Sequence, residues 1–441
     1  MPFKRFFGKA GDTQRAPEPE PISDVSSVDD QEVEEGAVPE AAPERTWRER
    51  AEAVLPTGAS TGSKRADALY GDGAPDDLPT HFVSARGARL TDVYGQEYLD
   101  CTMALGAVAL GYGEPRVTSA VVEAASQGHV AALSSWREVE LAERLCALIP
   151  CAERVQLLKT GAEATAAAVR LARAYTGREH VIACGYFGWL DWCSAALGVP
   201  EAVRKDVTWV DFDDIAKLEL AVNAAGPALA ALVIEPVVEQ APSLAWLQRA
   251  RDLCTALGAV LIFDEVKTGF RVAPGGYQEL CGITPDLATF GKAMANGYPL
   301  AAVVGSAPLM ETLRTTWISS TLASESTALA ASLAVLDWHE EADICATLAE
   351  TGKEMRAAVE RAITASGIDG VTTQGIDQMW LLKWSDPTNE PRFLAEAARG
   401  GVLFKRGAYN FPAIAHDEAA LVDIESAAST AFVALDENEH S

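Results

Sequence analysis

The chain reads as an α/β protein with a mainly parallel sheet between helices, and three observations predict it. From Pro115 onward, helical periodicity alternates with short apolar runs at 154–158, 181–184, 207–210, 230–235, 259–264 and 301–305. Strands alternating with helices imply a parallel sheet covered on both faces. The run Ala-Val-Leu-Ile-Phe at 259–263 is apolar throughout rather than alternating, the pattern of a strand buried on both sides. With 441 residues and 49% hydrophobic content, the chain is long enough to bury a large core and to hold two or more domains.

Taken in order, residues 1–44 read as an acidic, disordered tail. The opening Met-Pro-Phe-Lys-Arg-Phe-Phe-Gly-Lys is basic but is followed by no apolar core of secretory length. Residues 11–44 are rich in Glu, Pro, Ser, Asp and Ala, too polar to offset the entropy of ordering. Order is expected from Arg45, where a helical pattern starts, and 82–100 alternates around Tyr94-Gly95 as a β-meander. Residues 45–100 form an N-terminal segment expected to pack with a small domain, and 101–325 form the large domain. Residues 326–441, a long Ala- and Leu-rich helical stretch followed by short strands near 378–383 and 401–404, read as that smaller α+β domain.

Composition removes several classes. A net charge of −27 argues against nucleic acid and anionic membranes as partners, since phosphate binding needs clustered Lys and Arg. No apolar run reaches the roughly 20 residues of a membrane span, so a soluble protein is expected. The eight cysteines include no C-x-x-C pair and fit reduced core thiols of a cytoplasmic protein better than a disulfide frame or a zinc site; no metal is expected.

The chemistry gathers at strand ends. The 259–263 run ends in Asp264-Glu265, and a carboxylate at the carboxyl end of a buried strand lies where open α/β sheets bind ligands. The segment 286–290 leads into Gly291-Lys292-Ala293, and a lysine among small apolar neighbours is a candidate nucleophilic amine. After the 154–158 run, Thr160-Gly161-Ala162 opens a strong helix former, where free N–H groups and the helix dipole suit a phosphate. Tyr186 stands in an aromatic, glycine-bearing loop after 181–184, and Glu235 closes 230–235. An aromatic ring there can stack on a planar ligand.

Phosphate seat, stacking ring, strand-end acid and amine are the four parts that pyridoxal phosphate requires. The rival nucleotide motifs, Gly-x-x-x-x-Gly-Lys-Ser/Thr and Gly-x-Gly-x-x-Gly, are absent at these strand ends.

Over roughly residues 50–435 the chain resembles the class III, fold type I pyridoxal-phosphate aminotransferases, in particular their glutamate-1-semialdehyde aminomutase-like branch. The resemblance is carried by Phe263-Asp264-Glu265-Val266-Lys267-Thr268-Gly269-Phe270-Arg271, by Pro285-Asp286-Leu287-Ala288-Thr289-Phe290-Gly291-Lys292 and by Thr160-Gly161-Ala162-Glu163-Ala164. It implies that Lys292 forms the Schiff base and shuttles protons and that Asp264 pairs with the pyridine nitrogen. It further implies that Thr160, Gly161 and Ala162 hold the phosphate, with Tyr186 on the ring and Glu265 in support; Glu235, at its strand end, is a further cofactor-binding candidate. Thr321, in Ser320-Thr321-Leu322, is similar to the segment that reaches the phosphate from a neighbouring subunit, so a homodimer is implied. Two departures stand out: Ala162 replaces a hydroxyl residue in the phosphate loop, and Phe187 stands where the family has histidine. The Asn296–Leu300 stretch differs from the aminomutase Gly-Gly-Gly run and is closer to related transaminases. For the substrate, Arg137, Glu138, Glu325 and Arg406 are candidates, an arginine fork being suited to a carboxylate.

The reading is amino transfer from a small-molecule donor to a keto or aldehyde acceptor. An aminomutase or epimerase on the same site, and a catalytically silent binding protein on the same fold, are the alternatives.

Overall fold

The computed structural model describes residues 45–439, with side chains described through residue 435. The expected disordered tail at 1–44 lies outside the described residues.

A seven-stranded sheet dominates, in the spatial order Arg154–Leu158, Ala301–Gly305, Leu287–Phe290, Val260–Asp264, Leu229–Ile234, His180–Cys184, Val207–Trp209. The last five are joined in parallel. Ala301–Gly305 runs antiparallel to both of its neighbours, a refinement of the mainly parallel expectation. Its direction follows from chain length. Only residues 291–300 connect it to the preceding strand, fewer than the dozen or so that a parallel crossover needs.

Burial on both faces is visible residue by residue. In Leu229–Ile234, Ala231 and Val233 pack with the helix Gly161–Thr176, whose inner face is Ala164, Ala167, Ala168, Leu171 and Ala172. Leu232 and Ile234 point the other way, against Trp246, Leu247 and Cys254 of Leu244–Leu257 and Leu218 of Ile215–Ala225. Each such aliphatic side chain contributes roughly 1.5–3 kcal/mol by leaving water.

The strands Phe82–Arg86, Arg89–Asp92 and Glu97–Asp100 form the expected meander. Val402–Leu403 adds to it in parallel, with Val402 opposite Leu99. A hairpin pairs Val371–Ile376, unanticipated from sequence, with Met379–Trp384. One apolar cluster joins Leu99 and Met103 to Met355, Trp380, Phe393 and Phe432 from the C-terminal third. The helix Ser326–Glu341 instead packs beside Pro115–Ser126 and Trp136–Leu148. None of the eight cysteines is in a disulfide. No helix among the described residues is long and apolar enough to cross a membrane.

Apart from Ala301–Gly305, the strands of the large sheet point one way, so their carboxyl ends share one edge. Asp264 ends its strand there, and Thr160, Tyr186, Glu235 and Lys292 stand one or two residues past theirs.

Candidate active site

Asp264 is the last residue of its strand and is buried. Its Oδ1 accepts hydrogen bonds from Val266 N at 3.0 Å and Thr289 Oγ1 at 2.9 Å. Oδ2 has no hydrogen-bond partner among the described residues. Burial, and after it the charge of Glu235, pushes the carboxyl up to about 7. Lys292 opens the short turn Lys292–Ala295 with a left-handed backbone, φ 49°, which costs a non-glycine residue roughly 1–2 kcal/mol. Its Nζ makes no hydrogen bond or ion pair among the described residues, and burial, then the nearby Lys267 ammonium, brings it down to about 8. One acid oxygen and one amine thus remain available at the same sheet edge.

Thr160 caps the helix Gly161–Thr176 in a capping box: its Oγ1 accepts from Glu163 N at 3.2 Å, and Glu163 Oε2 accepts from Thr160 N and Lys159 N, both at 3.0 Å. The amides of Gly161 and Ala162 donate to no protein acceptor among the described residues, leaving two donors at the positive end of the helix. Glycine is required at 161 because a Cβ there would lie 2.8 Å from Val266 Cγ1. The methyl of Ala162 faces Gly188, where a Cβ would approach it to 2.6 Å, so this departure from the family packs against the aromatic loop.

In that loop the two neighbours turn opposite ways. Tyr186 is 75% exposed, and its N–H donates to Glu235 Oε2 at 3.1 Å. Phe187 is buried against Trp192 and Trp209, with ring centroids 5.6 and 5.9 Å away, and its carbonyl accepts from Thr165 Oγ1 at 3.1 Å. Phe187 therefore serves the core beneath the loop.

Glu235 brings in two residues that sequence reasoning missed. Its Oε1 is 2.5 Å from Lys267 Nζ in a buried ion pair, and that ammonium sits 4.3 Å from the centre of the Tyr409 ring. Lys267 follows Asp264 by three residues, but its pairing with Glu235 depends on two strands being neighbours, which the sequence alone does not reveal.

The substrate candidates fall in different places. Arg137 is buried, donates from Nη2 to Gln127 Oε1 at 3.0 Å, and lines a cavity of about 240 Å³ with His129, Ser135, Trp136 and Thr321. That lining includes neither Lys292 nor Asp264. Glu138, next in the same helix, lies in its first turn and is partly exposed. Glu325 caps Ser326–Glu341, accepting from Thr327 N and Ala328 N, and pairs with Lys159 Nζ at 2.8 Å. Arg406 donates to Asp67 O at 2.8 Å, tying its loop to the helix Ala66–Tyr70.

Met103, Ala104 and Leu105 all have left-handed backbones, φ 42°, 50° and 60°. Three such residues in a row, at roughly 1–2 kcal/mol each, persist only where surrounding structure holds them. Arg271, fully buried, donates from Nη2 to Gly106 O at 3.1 Å and from Nη1 to Pro412 O at 2.9 Å. Asn296 holds the following backbone: its Oδ1 accepts from Ala109 N and Leu110 N, both at 3.0 Å, and its Nδ2 donates to Gly111 O at 3.0 Å.

Fold and site together give an α/β protein with two helix-end amides, an acid oxygen and an amine along one sheet edge. The chain belongs to the class-III aminotransferases, whose family model matches residues 72–414. It is 36% identical over 303 residues to a 3-aminobutyryl-CoA aminotransferase of Cloacimonas acidaminovorans, covering 67% of this chain and 73% of that protein. It is 32% identical over 430 residues to a glutamate-1-semialdehyde 2,1-aminomutase of Polynucleobacter necessarius, covering 88% and 98% of the two chains. The structure of the PLP internal aldimine form of the Sphingopyxis sp. MTA144 FumI protein matches with a TM-score of 0.85 at 28% identity, covering 90% of this chain and 97% of that one. The cofactor of this enzyme is pyridoxal phosphate. The residues present fit it: two helix-end amides and the O–H of Thr160 for phosphate, and, without a bonded partner among the described residues, a carboxylate oxygen of Asp264 for the ring nitrogen and the amine of Lys292 for the carbonyl.

Proposed function

We propose that this aminotransferase moves an amino group from a small-molecule donor to a keto or aldehyde acceptor at Lys292, with Asp264, Thr160, Gly161, Ala162, Tyr186 and Glu235 holding the cofactor. The observation that carries this assignment of roles is the pair of available groups, Asp264 Oδ2 and Lys292 Nζ, at one sheet edge with the free amides of Gly161 and Ala162.

Bound, the cofactor supplies a carbonyl that condenses with primary amines and a protonated ring that accepts the electron pair released when the α-proton leaves. Asp264 keeps a proton at the ring nitrogen by offering its free oxygen from a water-poor position. The amides of Gly161 and Ala162, with the helix dipole behind them, neutralise phosphate charge. Tyr186, projecting from the loop, covers one face of the ring. Lys292 Nζ, with its amine brought down to about 8, is substantially neutral near pH 8 and takes the α-proton of the donor. Lys267 holds Glu235, and Glu235 in turn holds the amide of Tyr186.

The working unit in this reading is a homodimer in the cytoplasm. Thr321 shares its cavity with Leu133 and Trp136, which are 85% and 61% exposed, an apolar surface suited to a second copy. Thr321 of the partner subunit would then reach the phosphate. Eight unpaired cysteines support a reducing compartment. Arg137, which lines that cavity, and Glu138 beside it in the helix come first as substrate-binding candidates, whereas Glu325 and Arg406 are engaged in a helix cap and a loop tie.

A second reading, intramolecular amine transfer, is favoured by the near full-length match to an aminomutase. Single amines added to the holoenzyme without any acceptor separate the two. Transfer between molecules predicts one equivalent of product, loss of the cofactor's long-wavelength absorbance and its recovery on adding a keto acid. Many turnovers without an acceptor would instead establish the intramolecular reaction.

A further inference from the structure

Resting on the assignment of Lys292 as the reacting amine, the geometry points to Asn296 as a positioning residue that clamps the backbone of Ala109–Gly111, just after the left-handed run Met103–Gly106, against the turn bearing Lys292. It thereby fixes the wall that the incoming amine meets.

Asn296 ends the Lys292–Ala295 turn, itself left-handed at φ 45°, and is buried. It lies four residues after Lys292, so its side chain reports directly on the position of that turn. All three of its side-chain hydrogen bonds cross to the distant backbone of Ala109, Leu110 and Gly111. Next to it, Gly297 meets the same loop, where a Cβ would lie 3.0 Å from Val108 Cγ2. From the other side, Arg271 holds the carbonyls of Gly106 and Val108, at 3.1 and 3.4 Å, and its charge acts on Lys292. The loop is therefore pinned between the reacting lysine's own turn and a buried guanidinium. A strained segment held at its end by Arg271 and continued by backbone held by Asn296, four residues from the reacting amine, is a preorganised surface rather than a passive linker.

Asparagine suits this position because it tolerates the left-handed backbone while presenting an acceptor and a donor together. Replacing Asn296 by glycine removes all three hydrogen bonds without adding backbone strain. Asn296→Asp keeps the two acceptor bonds and removes the donor.

The test uses full-length holoenzyme with a panel of amine donors, read by steady-state kinetics, and hydrogen exchange of the peptide covering residues 103–112. For Asn296→Gly we expect the donor KM to rise about tenfold with kcat within about threefold of wild type. Exchange at Ala109 and Leu110 should quicken at least tenfold while the cofactor's absorbance is retained, and Asn296→Asp should fall between. If Asn296→Gly does not fold, Asn296→Asp alone carries the test, with a KM rise of at least threefold expected. An active wild type whose variants keep KM and exchange within twofold overturns the role of Asn296. A wild type that reacts with no amine overturns the functional reading beneath it.

Discussion

Asp264 and Glu265 are adjacent, both carboxylates and both buried, yet their surroundings differ completely. Glu265 is saturated: its two oxygens accept from Thr268 Oγ1, from Tyr277 N at 2.8 Å and from Gln278 N at 3.0 Å. It ties the loop after the strand to the helix Tyr277–Cys281, so its energy goes into fixing structure. Asp264 makes two bonds through one oxygen and, among the described residues, none through the other. A similar contrast separates two lysines at this edge, since the buried Lys267 has Glu235 while the half-buried Lys292 has no bonded partner among the described residues. Polar groups held largely away from water are normally satisfied, so a buried acid and a half-buried amine with atoms to spare mark the place where a ligand completes the structure.

Changes at Lys292, Glu265 and Asp264 should separate accordingly, and the largest effect belongs to the available amine. Lys292→Ala should lower amino transfer by at least about 10³-fold, as loss of both nucleophile and proton carrier implies, with no loss of apoprotein Tm. Unchanged turnover would break the comparison. Glu265→Ala should do the reverse: it strands the amides of Tyr277 and Gln278 in the interior and should destabilise by about 3 kcal/mol or more in chemical denaturation. A stable Glu265→Ala protein would show that saturation there is dispensable.

Asp264 sharpens the contrast through pH. Its carboxyl ordinarily titrates near 3.8 but is raised to about 7 in the fold, so the folded apoprotein disfavours the charge. That disadvantage is fully present above about pH 7, shrinks as pH falls and vanishes below 3.8. Asp264→Asn apoprotein should therefore be more stable than wild type at pH 8, by about 4 kcal/mol at most, and the difference should close towards pH 4. The same variant should bind the cofactor more weakly in a spectrophotometric titration. Smallest of all, Thr160→Ala should cost about 1 kcal/mol of stability by removing the helix cap, read as a small fall in Tm, with a modest loss of phosphate affinity.

The sheet and the strand-end residues were legible because they rest on local pattern: apolar runs, a threonine cap before a helix, an acid at a strand's end. What was not legible depends on which strands are neighbours. Lys267 and Glu235 meet only because Leu229–Ile234 lies beside Val260–Asp264. Asn296 reaches Gly111 across 185 residues, and Arg271 reaches Pro412 across 141. Such contacts leave no periodic trace. Phe187 illustrates a limit of another kind, because a residue inside the aromatic cluster turned inward, and only the packing of Trp192 and Trp209 reveals the direction. The antiparallel strand Ala301–Gly305 was readable in principle from the short connection before it.

The most direct test of the contrast is to reduce the holoenzyme with borohydride, digest it and locate the cofactor by mass spectrometry. Attachment to the peptide containing Lys292, and none to that containing Lys267, is the expected result. Attachment at Lys267, or at no lysine, would contradict the assignment of the available amine as the reacting one.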